Sequence, residues 1–443
     1  MKLGVVWFGD DLRCADQHML WKAAQEVDYL VCLYCDEPQN NRPSRYATQG
    51  MSANRRRFLD QGLQSLALQL QSMGQTLFVS TLDAVTSLNL LLNEVPIAHL
   101  YRSHHGGWDE QKTLNRITNQ FPDVRIHLGH GLSLFAPSEL PFKIDQLPDS
   151  FSKFRRMVES LDTSTPLPAI HNLPPPPAFD IQHIRSWQSK PMADCGTFTG
   201  GEQAALDQLS DYFSTNLPSH YKDTRNELAG WENSTKFSPW LAQGSLSARQ
   251  IKASLDVYER DHGANESTYW IYFELLWREY FHWYATRYGK LLFLPKGLTG
   301  KHSHGSYYAE RFRKWCQGNT PYPLVNACMK QLNETGFMSN RGRQIVASCL
   351  IYELGIDWRY GAAYFEEQLI DYSVGSNWGN WQYIAGVGAD PRGGRHFNLQ
   401  KQTEQYDPNH AFINQWQGQL FDEQLDSVDA ADWPIYPASN TEL

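Results

Sequence analysis

The sequence predicts two unlike halves: an N-terminal α/β domain built on a doubly wound parallel sheet, and a C-terminal all-helical domain. Short apolar runs alternate with helical stretches as far as residue 131, prolines crowd residues 132–200, and helical periodicity dominates from 201 to 420. We therefore predict an α/β domain (1–131), a connector (132–200), a helical domain (201–420) and an acidic tail (421–443).

Five apolar runs in the first domain have the length of buried strands, at residues 3–7, 29–34, 76–80, 97–101 and 124–128. Segments with helical periodicity, such as 51–73, separate them, and strands that alternate with helices form parallel sheets covered on both faces. Cys32 and Cys35 lie three residues apart in the second run, so their side chains point to opposite faces. This spacing predicts buried thiols and no metal or redox pair.

The prolines of the connector predict an extended conformation. Pro137, Pro141 and the run 174–177 cannot lie inside helices or central strands, and we expect the connector to follow the body of the protein. The tail carries six acidic residues and neither Lys nor Arg, which predicts a solvated, mobile segment.

The composition indicates a globular cytoplasmic protein. Of 443 residues, 41% are hydrophobic and 20% are charged, and no stretch is long and apolar enough to span a bilayer. No signal peptide is visible, and seven scattered cysteines are typical of reduced thiols. The net charge of −9 means that any nucleic-acid surface must be a local basic patch.

The most informative segment is 267–281, where Ser267 is expected to cap a helix. Bulky aromatic and charged side chains share one face of that helix: Trp270, Glu274, Trp277, Arg278 and Phe281. Taken alone, this stripe is more typical of a packing face with a surface salt bridge. It also fits a ligand pocket, which needs a flat apolar wall and a few fixed polar groups.

A second helical face carries Asn340, Arg343 and Ala347, so one arginine points inward where the sequence becomes apolar. A buried arginine needs a partner, and Asp371 is the candidate. The pair is compatible with a structural role and with a functional one.

The loop 234–238 enters a helix and is rich in hydroxyl groups, with a proline directly after it. Hydroxyls and free backbone N–H groups at such a place suit a phosphate, although most such loops bind nothing. Other patterns are weaker. Residues 55–57 are three arginines that we interpret as a solvated helix face, and His104, His105, His302 and His304 lack the companion ligands that zinc needs. No metal site is predicted.

These segments, in this order and spacing, resemble the photolyase/cryptochrome family, and most closely its DASH-type cryptochromes. The similarity is almost continuous over 234–246, 267–280, 336–347 and 370–391, followed by Lys401-Gln402 and Tyr406-Asp407-Pro408. The first domain matches more loosely, through Val6-Trp7-Phe8 and Asp10-Asp11-Leu12-Arg13.

The resemblance implies a flavin adenine dinucleotide (FAD) folded into a U within the helical domain. The phosphates would be lined by Tyr221, Ser234, Thr235, Lys236, Phe237 and Ser238. Trp270 and Arg278 would flank the cofactor. The isoalloxazine would be surrounded by Asn340, Arg343, Asp371, Ser373 and Asn377, with Asn377 facing the reactive nitrogen of the flavin.

The family's repair reaction is similarly implied. Excited reduced flavin donates an electron to a cyclobutane pyrimidine dimer that is flipped out of its strand, the ring splits, and the electron returns. Glu274 and Asn340 would hydrogen-bond the dimer, and Trp277 and Tyr383 would stack on its bases.

Contacts to the DNA backbone would come from Arg225, Lys330, Arg341, Arg392, Arg395 and Gln402. The partner implied for a DASH-type protein is single-stranded DNA that contains pyrimidine dimers, and we expect a monomer without membrane contact.

Photoreduction in the family uses three tryptophans, because indole is readily oxidised. Trp381 and Trp358 match the inner two, whereas Gly305 stands at the outer position. Tyr307, Tyr308 or Trp315 could replace the outer tryptophan, and we assign Tyr308 to the relay as a prediction.

Two further departures concern the chromophores. Ser373 stands where the family usually has a second aspartate, which would weaken the flavin contact or shift it to the backbone. Where DASH relatives carry glutamates that hold a folate, this chain has the sequence Ser-His-His-Gly-Gly-Trp-Asp-Glu at 103–110. A methenyltetrahydrofolate antenna, another chromophore and an empty cleft all stay open.

The leading hypothesis is light-driven repair of pyrimidine dimers in single-stranded DNA. The alternative is a cryptochrome photoreceptor, which would share the fold and the cofactor. Retention of Glu274, Trp277 and Asn340 favours repair. A third hypothesis, a thermal flavin oxidoreductase, is disfavoured because the sequence contains no nicotinamide-binding site.

Overall fold

The N-terminal half is built on a six-stranded sheet. The computed structural model describes residues 2–189, 196–301, 303, 305–389, 393–421 and 425–426. The strands are β1 (Leu3–Phe8), β2 (Tyr29–Cys35), β3 (Leu77–Ser80), β4 (His99–Ser103), β5 (Arg125–Gly129) and β6 (Ile184–Ser186). Their order is β5-β4-β1-β2-β3-β6, and only the pairing of β6 with β3 is antiparallel.

Helices cover both faces of this sheet, as the alternation of strands and helices predicts. They are α1 (His18–Glu26), α2 (Ala53–Ser72), α3 (Ala84–Glu94) and α4 (Trp108–Gln120). Val5 packs in one core with residues of α3 and α4, whereas its neighbour Val6 packs in another core with residues of α1 and α2. Cys32 and Cys35 are divided between these two cores in the same way, and both are buried.

The connector contains regular structure that the proline pattern did not predict. Helix α5 (Phe151–Val158) and strand β6 lie within it, so the prediction of an extended chain is wrong for the helix, whereas β6 is extended and pairs with β3. Phe151, Phe154 and Val158 follow each other at spacings of three and four, and all three are buried. A helix forms here because no proline interrupts 151–158 and one apolar face packs against the helical half.

The regular elements of the C-terminal half are helices throughout its described part, apart from one isolated bridge between Ser306 and Ile356. Its helices are α6 (Glu202–Phe213), α7 (Tyr221–Thr224), α8 (Ser238–Gln243), α9 (Ala248–His262), α10 (Glu266–Tyr288), α11 (Ala309–Gln317), α12 (Pro323–Thr335), α13 (Asn340–Ser348), α14 (Trp358–Gln368), α15 (Val374–Ala385), α16 (Leu399–Tyr406) and α17 (Ala411–Gln415). They enclose one large apolar core. Within the described ranges, none of the helices combines the length and the apolarity that a bilayer crossing requires.

Charged residues join the two halves. Arg13, which is fully buried, donates hydrogen bonds to the carbonyl oxygens of Gly131 and Gly244, both at 2.8 Å. Arg249 of α9 pairs with Asp16 at 3.1 Å, and Glu202 of α6 accepts hydrogen bonds from two backbone N–H groups that follow Arg13. These contacts set the position of the helical half against the sheet.

The three arginines of α2 are not the solvated face that the sequence suggested. Arg56 pairs with Asp36 at 2.9 Å, while Arg55 donates to the carbonyl oxygen of Glu366 and lies 4.6 Å from the centre of the Tyr372 ring. Arg55 therefore attaches α2 to the helical half, and Arg56 attaches it to the residue that follows β2.

Candidate functional site

The helical half encloses a cavity of about 670 Å³ between α7, α8, α10, α13 and α15. Its walls contain every residue for which the sequence predicted a catalytic or cofactor-binding role: Tyr221, Ser234, Thr235, Lys236, Phe237, Ser238, Trp270, Glu274, Trp277, Arg278, Asn340, Arg343, Asp371, Ser373, Asn377 and Tyr383. Arg225, Arg341, Arg395 and Trp381 line it as well. The volume falls within the range of cofactor-sized sites.

Helix α10 presents the aromatic and charged stripe to this cavity. The helix begins two residues earlier than predicted, because Asn265 is the cap and its side chain accepts hydrogen bonds from the N–H groups of Ser267 and Thr268. The prediction that Ser267 caps the helix is therefore wrong. The Ser267 hydroxyl instead accepts a hydrogen bond from the N–H of Lys222, which attaches α10 to α7.

Arg343 and Asp371 form the ion pair that the sequence suggested, with 2.7 Å between Nη2 and Oδ2. The same Asp371 oxygen accepts a hydrogen bond from the Ser238 hydroxyl at 2.7 Å, and Arg343 also donates to the carbonyl oxygen of Met338. The pair therefore connects three separate segments. The other Asp371 oxygen, Oδ1, is buried and has no hydrogen-bond partner among the described residues.

Lys236 supplies a second cation to the cavity wall. Its backbone has a left-handed φ of 56°, a conformation that is uncommon for a residue other than glycine and that places strain at this position. The ammonium donates to the Ser234 hydroxyl at 2.9 Å, and burial lowers the pKa of Lys236 to about 8. A bound anion would stabilise the charged form of this side chain.

Two aromatic rings meet at a corner of the cavity. Trp277 and Tyr383 lie 6.2 Å apart, with 77° between their planes. Trp277 is held by Phe151 of α5, which stacks on it at 3.7 Å with an angle of 12°. Sequence reasoning missed Phe151, although the helical spacing of Phe151, Phe154 and Val158 was a signal that could have found it.

Glu274 lies beside these rings and forms an ion pair with Arg225, at 2.6 Å between Oε1 and Nη1. Withdrawal from water raises the pKa of Glu274, and the positive charge of Arg225 acts in the opposite direction. The Arg225 guanidinium also lies 4.0 Å from the centre of the Trp270 ring. A carboxylate, a cation and an indole are thus combined in one wall of the cavity.

The remaining polar groups of the wall are positioned by backbone contacts. Arg278 donates to the carbonyl oxygens of Leu132 and Leu241, and the Asn377 amide donates to that of Ala362 at 2.9 Å. Asn340 begins α13 directly after Ser339, whose hydroxyl accepts from the N–H of Gly342. Ser373 precedes α15 without capping it, and its side chain lines the cavity.

The predicted DNA contacts are only partly brought together. Arg341 bonds Asn226 at 3.2 Å beside the cavity, and Arg395 lies 4.8 Å from the Tyr383 ring and donates to its hydroxyl. Gln402, on α16, does not line the cavity. The Lys330 ammonium donates to two backbone carbonyl oxygens near the end of the described chain, those of Gln417 and Leu420. Arg392 lies outside the described residues.

The two tryptophans predicted for the inner part of the electron relay are both buried, and each lies next to another indole ring. Trp381 is almost fully buried, and Trp315 lies 6.3 Å from it. Trp358 is fully buried and lies 5.8 Å from Trp378, a neighbour that sequence reasoning missed.

The candidates for the outer relay position differ in their surroundings. Tyr307 stacks on Tyr360 at 4.4 Å with an angle of 14°, whereas the ring of Tyr308 is covered by the Arg311 guanidinium at 4.5 Å. Trp315 is fully buried. Tyr307 therefore has the closer aromatic neighbour, and the assignment of Tyr308 stays a prediction.

A second cavity of about 710 Å³ lies between the two halves. His105, Trp108, Asp109 and Glu110 from the segment 103–110 line it, together with aromatic residues such as Trp378. It has the size for a second chromophore, which stays a prediction. The described residues contain no group of three or more His, Cys, Asp or Glu side chains arranged for a metal ion.

Two family models match the chain, one described as DNA photolyase over residues 4–176 and one as the FAD binding domain of DNA photolyase over residues 270–435. The chain is 51% identical over 440 residues to the cryptochrome DASH of Idiomarina loihiensis, covering 98% of this chain and 97% of the relative. The chain belongs to the DASH branch of the photolyase/cryptochrome family.

Solved structures of the photolyase/cryptochrome family have the same fold. A Synechocystis cryptochrome superposes with a TM-score of 0.88 at 38% identity, covering 94% of this chain and 88% of that chain. A class III photolyase from Agrobacterium tumefaciens superposes with a TM-score of 0.81 at 26% identity, covering 94% of this chain and 86% of that chain. The predicted fold class and family are confirmed.

FAD is the cofactor of this family domain, and the residues of the cavity fit it. Lys236 provides positive charge for a diphosphate, and the unpartnered Oδ1 of Asp371 provides an acceptor for an N–H or O–H group of a ligand. The Arg343 guanidinium next to it favours negative charge on an adjacent ring.

Proposed function

We propose that the protein repairs cyclobutane pyrimidine dimers in single-stranded DNA in a light-dependent reaction of the photolyase type. The observation that carries this proposal is the composition of one cavity. The residues expected to hold FAD and those expected to hold a pair of bases line the same continuous space. When bound and reduced, FAD supplies under blue light the electron that splits the dimer.

The side chains of the cavity would position the pyrimidine dimer. Trp277 and Tyr383 offer flat faces at a corner, on which two linked bases can stack. Glu274 and Asn340 provide hydrogen-bonding groups for the edges of those bases. The apolar remainder of the wall excludes water, which protects a reactive intermediate from side reactions.

Single-stranded DNA is the substrate whose binding at this site costs the least free energy. A dimer must leave the base stack to enter a cavity, and this costs less when no complementary strand has to be displaced. Positive charge near the cavity comes from Arg225, Arg341 and Arg395, on a chain whose net charge is −9. Backbone binding would therefore be local and sensitive to salt.

The division of the chain into four segments stays part of this proposal. We assign light harvesting or structural support to 1–131, the connector to 132–200, catalysis to 201–420 and no function to 421–443. We further propose a cytoplasmic monomer.

Illumination of the purified, reduced protein with dimer-containing oligonucleotides tests the function directly. Restored thymines are counted for single-stranded and duplex substrates, with samples kept in the dark as controls. We expect restoration mainly in the single strand. If neither substrate is restored, the repair proposal is wrong and the photoreceptor alternative replaces it.

Replacement of Glu274 separates substrate binding from cofactor binding. We expect Glu274→Ala to lower the rate of dimer splitting by about 10-fold or more, because the substitution leaves a polar edge of the buried bases without its partner, which costs about 1 to 3 kcal/mol. The variant should keep its yellow colour, since Glu274 is not needed to hold FAD. Loss of the flavin absorbance would contradict the assignment of Glu274 to the substrate.

A further inference from the structure

The ion pair between Arg225 and Glu274 lies in a partly exposed part of the cavity wall. The exposed fractions of the two side chains are 19% and 33%, compared with 2% for the side chain of Asp371. Arg225 follows the last residue of the short helix α7, and its side chain lines the cavity from the end of this helix. The pair is therefore within reach of a molecule that approaches the cavity from solvent.

Arg225 has two partners in the free protein, and a phosphate would compete with both. Its guanidinium donates to Glu274 through Nη1 and rests on the face of Trp270 at 4.0 Å. Guanidinium and phosphate form charge-assisted, often bidentate hydrogen bonds. A strand whose backbone passes this position would draw the guanidinium away from Glu274.

We propose that Arg225 is a positioning residue that couples phosphate binding to proton uptake by Glu274. This coupling rests on the proposed function, because it assigns a bound DNA strand to the cavity. The proton comes from solvent. No covalent bond forms or breaks apart from the O–H bond of the carboxylic acid.

The electrostatics of Glu274 support this coupling. Enclosure raises the pKa of the carboxyl group, and the Arg225 charge is what lowers it. When the guanidinium moves to a phosphate, the positive charge that lowers the pKa of Glu274 is lost. The effect of burial, which raises this pKa, remains and increases as bases displace water from the cavity. The pKa of the carboxyl group would then rise further, which favours uptake of a proton.

Other charged and titratable groups from α7, α10, α13, α15 and the loop after α15 line the same cavity, and three of the arginines among them have partners of their own. The groups are Tyr221 from α7, Arg278 from α10, Arg341 and Arg343 from α13, and Tyr383 and Arg395 from α15 and the loop that follows it. Arg278 donates to two carbonyl oxygens, Arg343 pairs with Asp371, and Arg395 bonds the Tyr383 hydroxyl. These contacts hold their charges in place when Arg225 leaves.

Proton uptake changes what Glu274 can recognise. A carboxylate only accepts hydrogen bonds, whereas a carboxylic acid donates one through its O–H group. The carbonyl oxygens of pyrimidine bases are acceptors, so the protonated form is complementary to them. Glu274 would thus become a donor only when a strand is in place, and would stay paired with Arg225 in the free protein.

Calorimetric titration tests this coupling with the full-length, FAD-loaded protein and a dimer-containing single strand. Binding enthalpies in buffers of different ionisation enthalpy give the number of protons taken up at pH 7.5. We expect wild type to take up a substantial fraction of one proton. Its affinity should fall by up to about 10-fold per pH unit above neutral pH, as proton linkage requires.

Variants of the pair identify the group that takes up the proton. Glu274→Gln should take up none and bind with a pH-independent affinity. Arg225→Gln should also lose most of the uptake, because Glu274 then lacks its cation before the strand binds. Arg225→Lys should restore at least half of it. Arg260→Gln, which removes an exposed arginine of α9 that pairs with Asp261, is the matched control and should behave as wild type.

The coupling is overturned if wild type binds the strand without proton uptake, or if Arg225→Gln takes up as many protons as wild type while keeping its flavin spectrum. These outcomes are distinguishable from failure of the proposed function. Normal repair without proton uptake contradicts the coupling alone. Proton uptake on strand binding without light-driven repair contradicts the proposed function and leaves the coupling supported.

Discussion

The side chain of Asp371 connects two other segments of the cavity wall. It accepts from Arg343 and Ser238 through one oxygen and keeps the other oxygen without a partner inside the described structure. A buried carboxylate with an unused acceptor is costly unless a ligand completes it. The same residue therefore maintains the wall of the cavity and favours a bound cofactor.

We expect Asp371→Asn to lose most of its flavin. The substitution keeps the size of the side chain but leaves Arg343 without its anion, and breaking such a buried pair costs about 3 to 5 kcal/mol. The ratio of flavin to protein absorbance after gel filtration measures the loss. Asp426→Asn breaks the exposed pair with Arg311 and should leave this ratio unchanged. Equal retention in both variants would contradict a role for Asp371 in binding FAD.

Trp381→Phe should abolish light-driven reduction of bound oxidised FAD. Indole is readily oxidised and phenyl is not, so the side chain that lines the cavity could no longer supply an electron. Reduction is followed as bleaching of the flavin absorbance under blue light with an external thiol as the final reductant. Trp416→Phe, at the far end of the described chain, is the matched control. Undiminished bleaching in Trp381→Phe would refute the relay assignment. If Trp381→Phe abolishes bleaching as expected, Tyr307→Phe and Tyr308→Phe test the outer position of the relay.

At the scale of elements, the contact between β4 and α10 depends on uncharged histidines. The ring of His104, directly after β4, lies 6.1 Å from Trp283 and 5.8 Å from His282 on α10. Burial, with smaller effects from the neighbouring histidines, lowers the pKa of His104 to about 4. Burial likewise lowers the pKa of His282. The native contact therefore favours the neutral rings.

This contact predicts a loss of stability in mild acid. Between pH 6.5 and pH 4 the unfolded chain protonates His104 while the folded chain does not, so the free energy of unfolding falls as the pH falls through this window. The loss from His104 should be on the order of 1 to 3 kcal/mol. Denaturant titrations at pH 7.5 and 4.5 measure it. His104→Phe should reduce the difference, His171→Phe in the exposed connector should not, and equal pH dependence in all three proteins would contradict the prediction.

At the scale of the whole molecule, a few buried charges hold the sheet half against the helical half. Asp16 adopts a left-handed φ of 51° and pairs with Arg249, and its backbone carbonyl accepts a hydrogen bond from Arg13. Burial would raise the pKa of Asp16, but the His18 imidazole at 3.6 Å and the charges of Arg249 and Arg13 lower it below its usual range. The charged form is therefore the native form.

Asp16→Asn should destabilise the junction by about 3 to 5 kcal/mol, because two buried arginines lose an anion while the backbone conformation suits asparagine equally. For a chain of 443 residues this corresponds to a melting temperature lower by about 3 to 5 °C. Differential scanning calorimetry measures it, with Asp207→Asn on the exposed face of α6 as control. A melting temperature equal to that of wild type would show that the junction does not need this charge.

The sequence by itself determined the class of the fold and the contents of the cavity. Apolar runs of strand length predicted five of the six strands, and the spacing of Trp270, Glu274 and Trp277 placed them on one face of α10, because both patterns follow from the local periods of strand and helix. Family motifs then supplied FAD, which local periodicity could not.

Only the tertiary structure decided which distant groups meet. The stacking of Phe151 on Trp277, the pairing of Arg225 with Glu274 across 49 residues, and the attachment of α2 through Arg55 have no signature in local periodicity. Such contacts depend on how helices and connector pack around a shared core, and packing is a property of the whole chain. For the same reason the strand order and the antiparallel β6 could not be predicted from the residues of any one segment.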